Sequence, residues 1–136
     1  MPCSLKILAT ARALPPRVLT NAELEAMVDT SDSWIRERTG IRERRIAAPD
    51  VATSDLAAEA VLAACANAGI ATSALDAIIV GTSTPDTLFP STACWLQHKL
   101  GLRGPAAFDV SAGCSGFLYG LEIASGLIHG GARHIA

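Results

Sequence analysis

Cys114 lies in "FDVSAGCSGF", residues 108–117, flanked by Gly113 and Gly116 where an apolar run gives way to a helical pattern. A sulfur at that address is a candidate nucleophile. The first turn of a helix presents unpaired amides and the positive end of the dipole, and both favour thiolate over thiol. The glycines permit a sharp turn and close approach of a substrate, and the same amides can hold an oxyanion. The competing reading is a small apolar residue packed into a tight turn, since unpaired cysteine is among the most buried residue types.

A second candidate runs from Arg36 to Arg45, which carries five arginines against two glutamates. Such a run is often only a solvated face. Here Trp34 precedes Arg38 by four residues on a short helix, placing a flat ring beside a phosphate-seeking guanidinium, a pairing suited to a nucleotide. Cys94 and His98 are also four apart, but two ligands without a third favour core packing over a metal, so no metal is predicted. Cys65 lies on an apolar helix stripe, and Cys3 reads as a loose terminal residue.

These residues need a frame. Leu5–Ala9 is a strand candidate that "LPP" at 14–16 interrupts. Thr20 and Glu23 form a capping box for a helix to about Val28, and Ser31 or Asp32 caps another that Gly40 stops. Ser54 is expected to cap a longer helix ending at Gly69, with Leu56, Ala57, Ala60, Val61, Ala64, Cys65 and Ala68 on its apolar face. "AIIVGTS" and "AAFDV" read as strands buried on both faces. Ser91 opens a helix that Gly101 closes, and Phe117, Leu121, Ala124 and Ile128 mark the helix after Cys114. This alternation predicts right-handed crossovers onto a mostly parallel sheet covered by helices. "ARHIA" reads as a further buried strand cut short.

The 136 residues suffice for one domain with a sizeable core, and half of them are apolar. With 18% charged residues and a net charge of −2, disorder is not expected. The apolar runs are too short to span a bilayer, and the N-terminal residues lack a secretory pattern, so a cytoplasmic protein with reduced thiols is expected. A mildly acidic balance and only 4% aromatic residues argue against nucleic acid as a partner.

With "TNAELEAMVDTSDSWIRERTGIRERRIAAPD", "FPSTACWLQHKLGLRGPAAFDVSAGCSGF" and the Gly-rich helix after it, the chain resembles the N-terminal part of β-ketoacyl-acyl-carrier-protein synthase III, in the thiolase superfamily. The resemblance implies an α/β, thiolase-like fold in which residues 1–136 form an incomplete N-terminal half-domain, with the second half absent. It implies that Cys114 accepts an acyl group from acyl-CoA, after which malonyl-acyl-carrier protein loses carbon dioxide and its carbanion attacks the thioester. Coenzyme A thioester is then substrate, and no cofactor is implied. By the same resemblance Thr30, Trp34 and Arg38 contact coenzyme A. Phe89 is either a core anchor or, by resemblance, an acyl-pocket residue reaching across a homodimer interface.

The family completes its site with a histidine and an asparagine from the second half. His98, His129 and His134 do not substitute for them on position alone, so the chain by itself is expected not to complete the condensation. Two alternatives stay open: another acyl-CoA-using superfamily synthase of secondary metabolism, and a non-catalytic, truncated interaction module.

Overall fold

The computed structural model describes residues 5–136, so Cys3 lies outside the described residues. Two units divide the chain: Leu14–Val51, and Ala52–Ala136 together with the N-terminal residues up to Ala13.

In the smaller unit, β1 (Arg17–Thr20) pairs antiparallel with β2 (Glu43–Ile46), setting Arg17 opposite Ile46 and Thr20 opposite Glu43. Neither strand is expected from the sequence, where β2 falls within the basic run. Between them, α1 (Asn21–Glu25) begins with the expected capping box: the Glu23 amide donates to Thr20 Oγ1 at 3.2 Å, and the Thr20 amide to Glu23 Oε2 at 2.9 Å. It ends at Glu25, short of the expected Val28. The amides of Met27 and Val28 both turn back onto the Leu24 carbonyl, and their exposed side chains have no core to extend over. α2 (Asp32–Thr39) is capped by Ser31 and stopped by Gly40 at φ 73°, a left-handed conformation that glycine adopts without strain.

In the larger unit, β3 (Ala77–Gly81) and β4 (Ala106–Val110) pair in parallel, Ala77 with Ala106 through to Gly81 with Val110. The crossover between them contains α4 (Thr92–Lys99). Ile78, Ala93 and Leu96 are fully buried there, and Ala57, Ala58 and Val61 of α3 (Thr53–Ala68) pack against them. Burying Ile78 and Leu96 stabilises the unit by about 1.5–3 kcal/mol each. On the free edge of β3, Ile135 forms a parallel bridge with Ala77, and the Ile79 amide donates to the Ala136 carbonyl at 2.8 Å. That is where the pattern of "ARHIA" calls for a strand.

Two expectations change. Leu5–Ala9 forms no strand and joins neither edge of β3, which β4 and residues 135–136 occupy; with α3 and α5 these residues instead line an apolar cavity of about 440 Å³. Ser54 is not the cap of α3. Ala52 holds that position, and the fully buried Ser54 donates from its amide, at 3.0 Å, and from its hydroxyl to Asp86, whose carboxylate closes the helix end from outside.

Candidate active site

β4 ends at Val110, and two residues later the chain enters a 3-10 turn, Gly113–Ser115, that leads directly into α5 (Gly116–His129). Gly113 sits at φ 50°, where a side chain would be strained, and the Ser115 amide donates to the Ala112 carbonyl at 3.0 Å to close the turn. Cys114, at the centre of this turn, is exposed. It is therefore open to solvent, unlike Cys65, which is buried and whose thiol burial pushes up.

Gly116 serves a purpose the sequence did not disclose. It is buried against Gly81 at the end of β3, and a Cβ built on Gly81 would come within 3.3 Å of the Gly116 carbonyl carbon. One turn on, a Cβ at Gly120 would lie 3.8 Å from Ile79 Cγ2. The start of α5 thus rests backbone to backbone on the carboxyl end of β3, where ligands gather in open α/β sheets. Asp109 of β4 was missed for the same reason. Its two carboxylate oxygens each accept an amide of α4, from Thr92 and Ala93, both at 2.8 Å. No side chain caps the first turn of α5 in this way. The Ser115 and Gly116 amides instead turn back onto the Ala112 and Gly113 carbonyls of the 3-10 turn, and no carboxylate sits on the positive end of the α5 dipole.

Thr30, Trp34 and Arg38 come together in the smaller unit. Asp29, Thr30, Ser31 and Trp34 line a concavity of about 350 Å³, Trp34 is 56% exposed, and the Arg38 guanidinium carbon lies 5.8 Å from the Trp34 ring centroid. The other arginines of the run divide by role. Arg36 pairs with Asp32 at 3.2 Å, Arg45 with Glu43 at 3.7 Å, and Arg44 turns inward to Asn21 at 2.8 Å.

Phe89 is not a core anchor of this chain. It is 90% exposed and its neighbour Leu88 is 99% exposed, at the tip of a loop that Trp95 Nε1 and the Pro90 carbonyl hold through the Thr87 hydroxyl. Cys94 engages Ser91 Oγ at 3.2 Å and the Ala107 carbonyl at 3.6 Å rather than His98. Among the described residues, no three His, Cys, Asp or Glu side chains converge as a metal site. His129 Nδ1 donates to the Ser125 carbonyl in the last turn of α5, a helix-end role.

The family model for 3-oxoacyl-[acyl-carrier-protein (ACP)] synthase III matches residues 108–135, from β4 through Cys114 to beyond the end of α5. A β-ketoacyl-[acyl-carrier-protein] synthase III of Alkalilimnicola ehrlichii is 55% identical over 128 residues, 93% of this chain and 40% of the relative. The likeness is to synthase III, over nearly the whole chain. The crystal structure of the synthase III from Aquifex aeolicus VF5 matches with a TM-score of 0.89 at 47% identity, over 97% of this chain and 43% of that one. The priming β-ketosynthase of the R1128 polyketide pathway also reaches 0.89, at 34% identity, over 96% of this chain and 39% of its own. The α/β, thiolase-like fold expected from the sequence is thus the fold of these synthases. The chain spans about 40% of the length of the curated synthase III relatives it matches. Among the described residues, no helix is long and apolar enough to cross a membrane.

Proposed function

We propose that this chain is the nucleophile-bearing N-terminal part of a cytoplasmic β-ketoacyl-acyl-carrier-protein synthase III that initiates fatty acid synthesis. One observation carries the reading: Cys114 is exposed at the uncapped start of α5, within the stretch that matches the synthase III family. In the proposed reaction, the Cys114 sulfur attacks the carbonyl carbon of an acyl-CoA thioester, and coenzyme A leaves as its thiol, carrying the proton the cysteine gave up. Malonyl-acyl-carrier protein then loses carbon dioxide. The carbanion forms the new carbon–carbon bond at the Cys114 thioester, expelling the cysteine sulfur and releasing 3-oxoacyl-acyl-carrier protein. These bonds balance without a redox cofactor or metal.

Trp34, Arg38 and Thr30 take the nucleotide end of coenzyme A. The exposed ring beside a guanidinium supports this role, since it offers a stacking face and a phosphate partner together. Phe89 faces a second copy of the protein and bounds the acyl pocket, a role its 90% exposure supports. Residues 1–136 then form one half-domain, and a second half supplies the histidine and asparagine that stabilise charge as carbon dioxide leaves. The character of α5 supports this division. Phe117 and Leu118 are exposed apolar side chains beyond the face on which Leu121, Ala124 and Ile128 line a cavity, and exposed apolar surface of this kind is what a further part of the protein would cover.

A synthase that primes a secondary metabolite is the second reading, favoured by the 0.89 TM-score to the R1128 priming ketosynthase. Incubating the natural-length protein with labelled acetyl-CoA, then sequencing its peptides by mass spectrometry, tests the main proposal. The label is expected on Cys114 and absent from Cys114→Ala; label elsewhere, or none in a folded protein, refutes it. Transfer to malonyl-acyl-carrier protein, set against transfer to a polyketide carrier protein, separates the two pathways.

A further inference from the structure

Asn21 is 2% exposed and sits at the first position of α1, with no catalytic or binding role assigned to it above. A buried amide side chain is costly unless its donors and acceptor are used. Here they are. Asn21 Nδ2 donates to Asp32 Oδ1 at 2.7 Å and to the Ile41 carbonyl at 2.9 Å, while Asn21 Oδ1 accepts from the Arg44 guanidinium at 2.8 Å. Its backbone amide donates to the Arg42 carbonyl at 3.3 Å, and Arg44 also reaches the Leu19 carbonyl at 3.4 Å. One side chain therefore ties α1, the first residue of α2, the loop after α2, and β2.

The tie at Asp32 matters because α2 has only eight residues and a single buried apolar side chain, Ile35. One buried residue fixes how deep so short a helix sits but leaves its rotation loosely defined. Asp32 adds two ties, its amide donating to Glu25 Oε1 and its carboxylate accepting from Asn21, and of these the side-chain bond to the buried Asn21 bears on the rotation. Trp34 and Arg38 project from the exposed side of that helix four residues apart, so its rotation decides where the ring and guanidinium face.

We infer that Asn21, through its hydrogen bond to Asp32, is a positioning residue that orients α2 so that Trp34 and Arg38 receive the nucleotide of coenzyme A. The inference rests on the nucleotide-binding role proposed above for those two residues. Asp32 is held below the usual carboxylate range by the Asn21 amide first and Arg36 second, in keeping with a tie that stays charged and directional at neutral pH.

The test compares two substrates of the natural-length protein: acetyl-CoA, and the acetyl thioester of N-acetylcysteamine, which presents the same reacting group without a nucleotide. Asn21→Ala is expected to raise KM for acetyl-CoA about tenfold with kcat held within about twofold, and to leave the rate with the nucleotide-free thioester unchanged. Asp32→Ala removes the same bond from its partly exposed end, where the side chain is 44% exposed, and is expected to show the same split. Asp32→Asn keeps an oxygen for Asn21 and recovers most of the affinity that Asp32→Ala loses. Equal losses on both thioesters, or an unchanged KM for acetyl-CoA in Asn21→Ala and Asp32→Ala, overturn the inference. Trp34→Ala separates it from the reading beneath it. If that variant also fails to distinguish the substrates, the nucleotide role itself falls; if it distinguishes them while the Asn21 and Asp32 variants do not, only the positioning role falls.

Discussion

α4 and α5 flank the same strand, β4, yet they begin in opposite ways. At α4 the carboxylate of Asp109 takes the Thr92 and Ala93 amides, and the Ser91 hydroxyl takes the Cys94 amide at 3.3 Å. At α3, Asp86 and Asp55 do similar work through the amides of Ser54 and Ala52. α5 receives no side-chain cap, and the residue two positions ahead of its first turn is an exposed cysteine. Where stability is the only demand, the positive end of the helix is closed by a carboxylate worth about 0.3–2 kcal/mol, plus the hydrogen bonds it makes. The start of α5 forgoes that gain and leaves the positive end of its dipole without a carboxylate, the feature on which the role proposed for Cys114 draws.

Substitutions at the two kinds of helix end should separate stability from chemistry. Asp109→Ala strips two partly buried amides of their partner and should lower unfolding stability by about 2–4 kcal/mol, measured by urea denaturation of the natural-length protein. Asp109→Asn keeps one acceptor and should lose about half as much. A loss below about 0.5 kcal/mol for the alanine variant would show that this carboxylate is dispensable and remove one side of the comparison.

Gly81→Ala comes next, at about 1–3 kcal/mol, because its new methyl meets backbone of Gly116 at 3.3 Å and backbone cannot rotate aside. Gly116→Ala meets its nearest neighbour at 3.5 Å, an ordinary contact, and should cost clearly less. Finding the reverse order would mean that the seat of α5 on β3 is looser than this contact requires. Ser115→Asp brings a carboxylate to the open end of α5. Its stability should change by less than about 1 kcal/mol, but acylation of Cys114 should slow about tenfold as negative charge occupies the site of the developing oxyanion. An unchanged acylation rate, followed by rapid quench, would show that the open helix end takes no part in the chemistry.

The smallest effect concerns Asp55 at the start of α3. Lys99 first and the Ala52 amide second hold its carboxyl below the ordinary carboxylate range. A carboxyl depressed on folding stabilises the protein at pH values above the unfolded pKa, about 4, and that contribution disappears as the pH falls through the lower folded value. The difference in urea midpoint between the protein and its Asp55→Asn variant should therefore be present at pH 6 and shrink below pH 4. A difference that grew on acidification would contradict the assignment.

Much of the site was legible in the sequence because its signals are local. The capping box at Thr20 and Glu23, the left-handed stop at Gly40, the cap at Ser91 and the turn around Cys114 each need only a few neighbouring residues. Misreadings fell where a distant group took over a local task. Ser54 looks like a cap until Asp86, 32 residues on, is seen to close that helix end. β2 reads as a charge run because the strand it pairs with, β1, lies on the far side of two helices in the chain, and Arg44 turns inward to Asn21, 23 residues back.

Residue order alone determined that a cysteine would stand at a strand-to-helix turn, that a tryptophan and an arginine would share a face of a short helix, and that helices would alternate with buried strands. Hydrogen bonds and side-chain periods a few residues long carry all of that. Tertiary structure alone decided which helix ends are closed by aspartates and which is left open, that Gly81 and Gly116 meet, and that Asn21 governs α2. Each of those depends on groups far apart in the chain, and their distance in space is set only when the whole core packs.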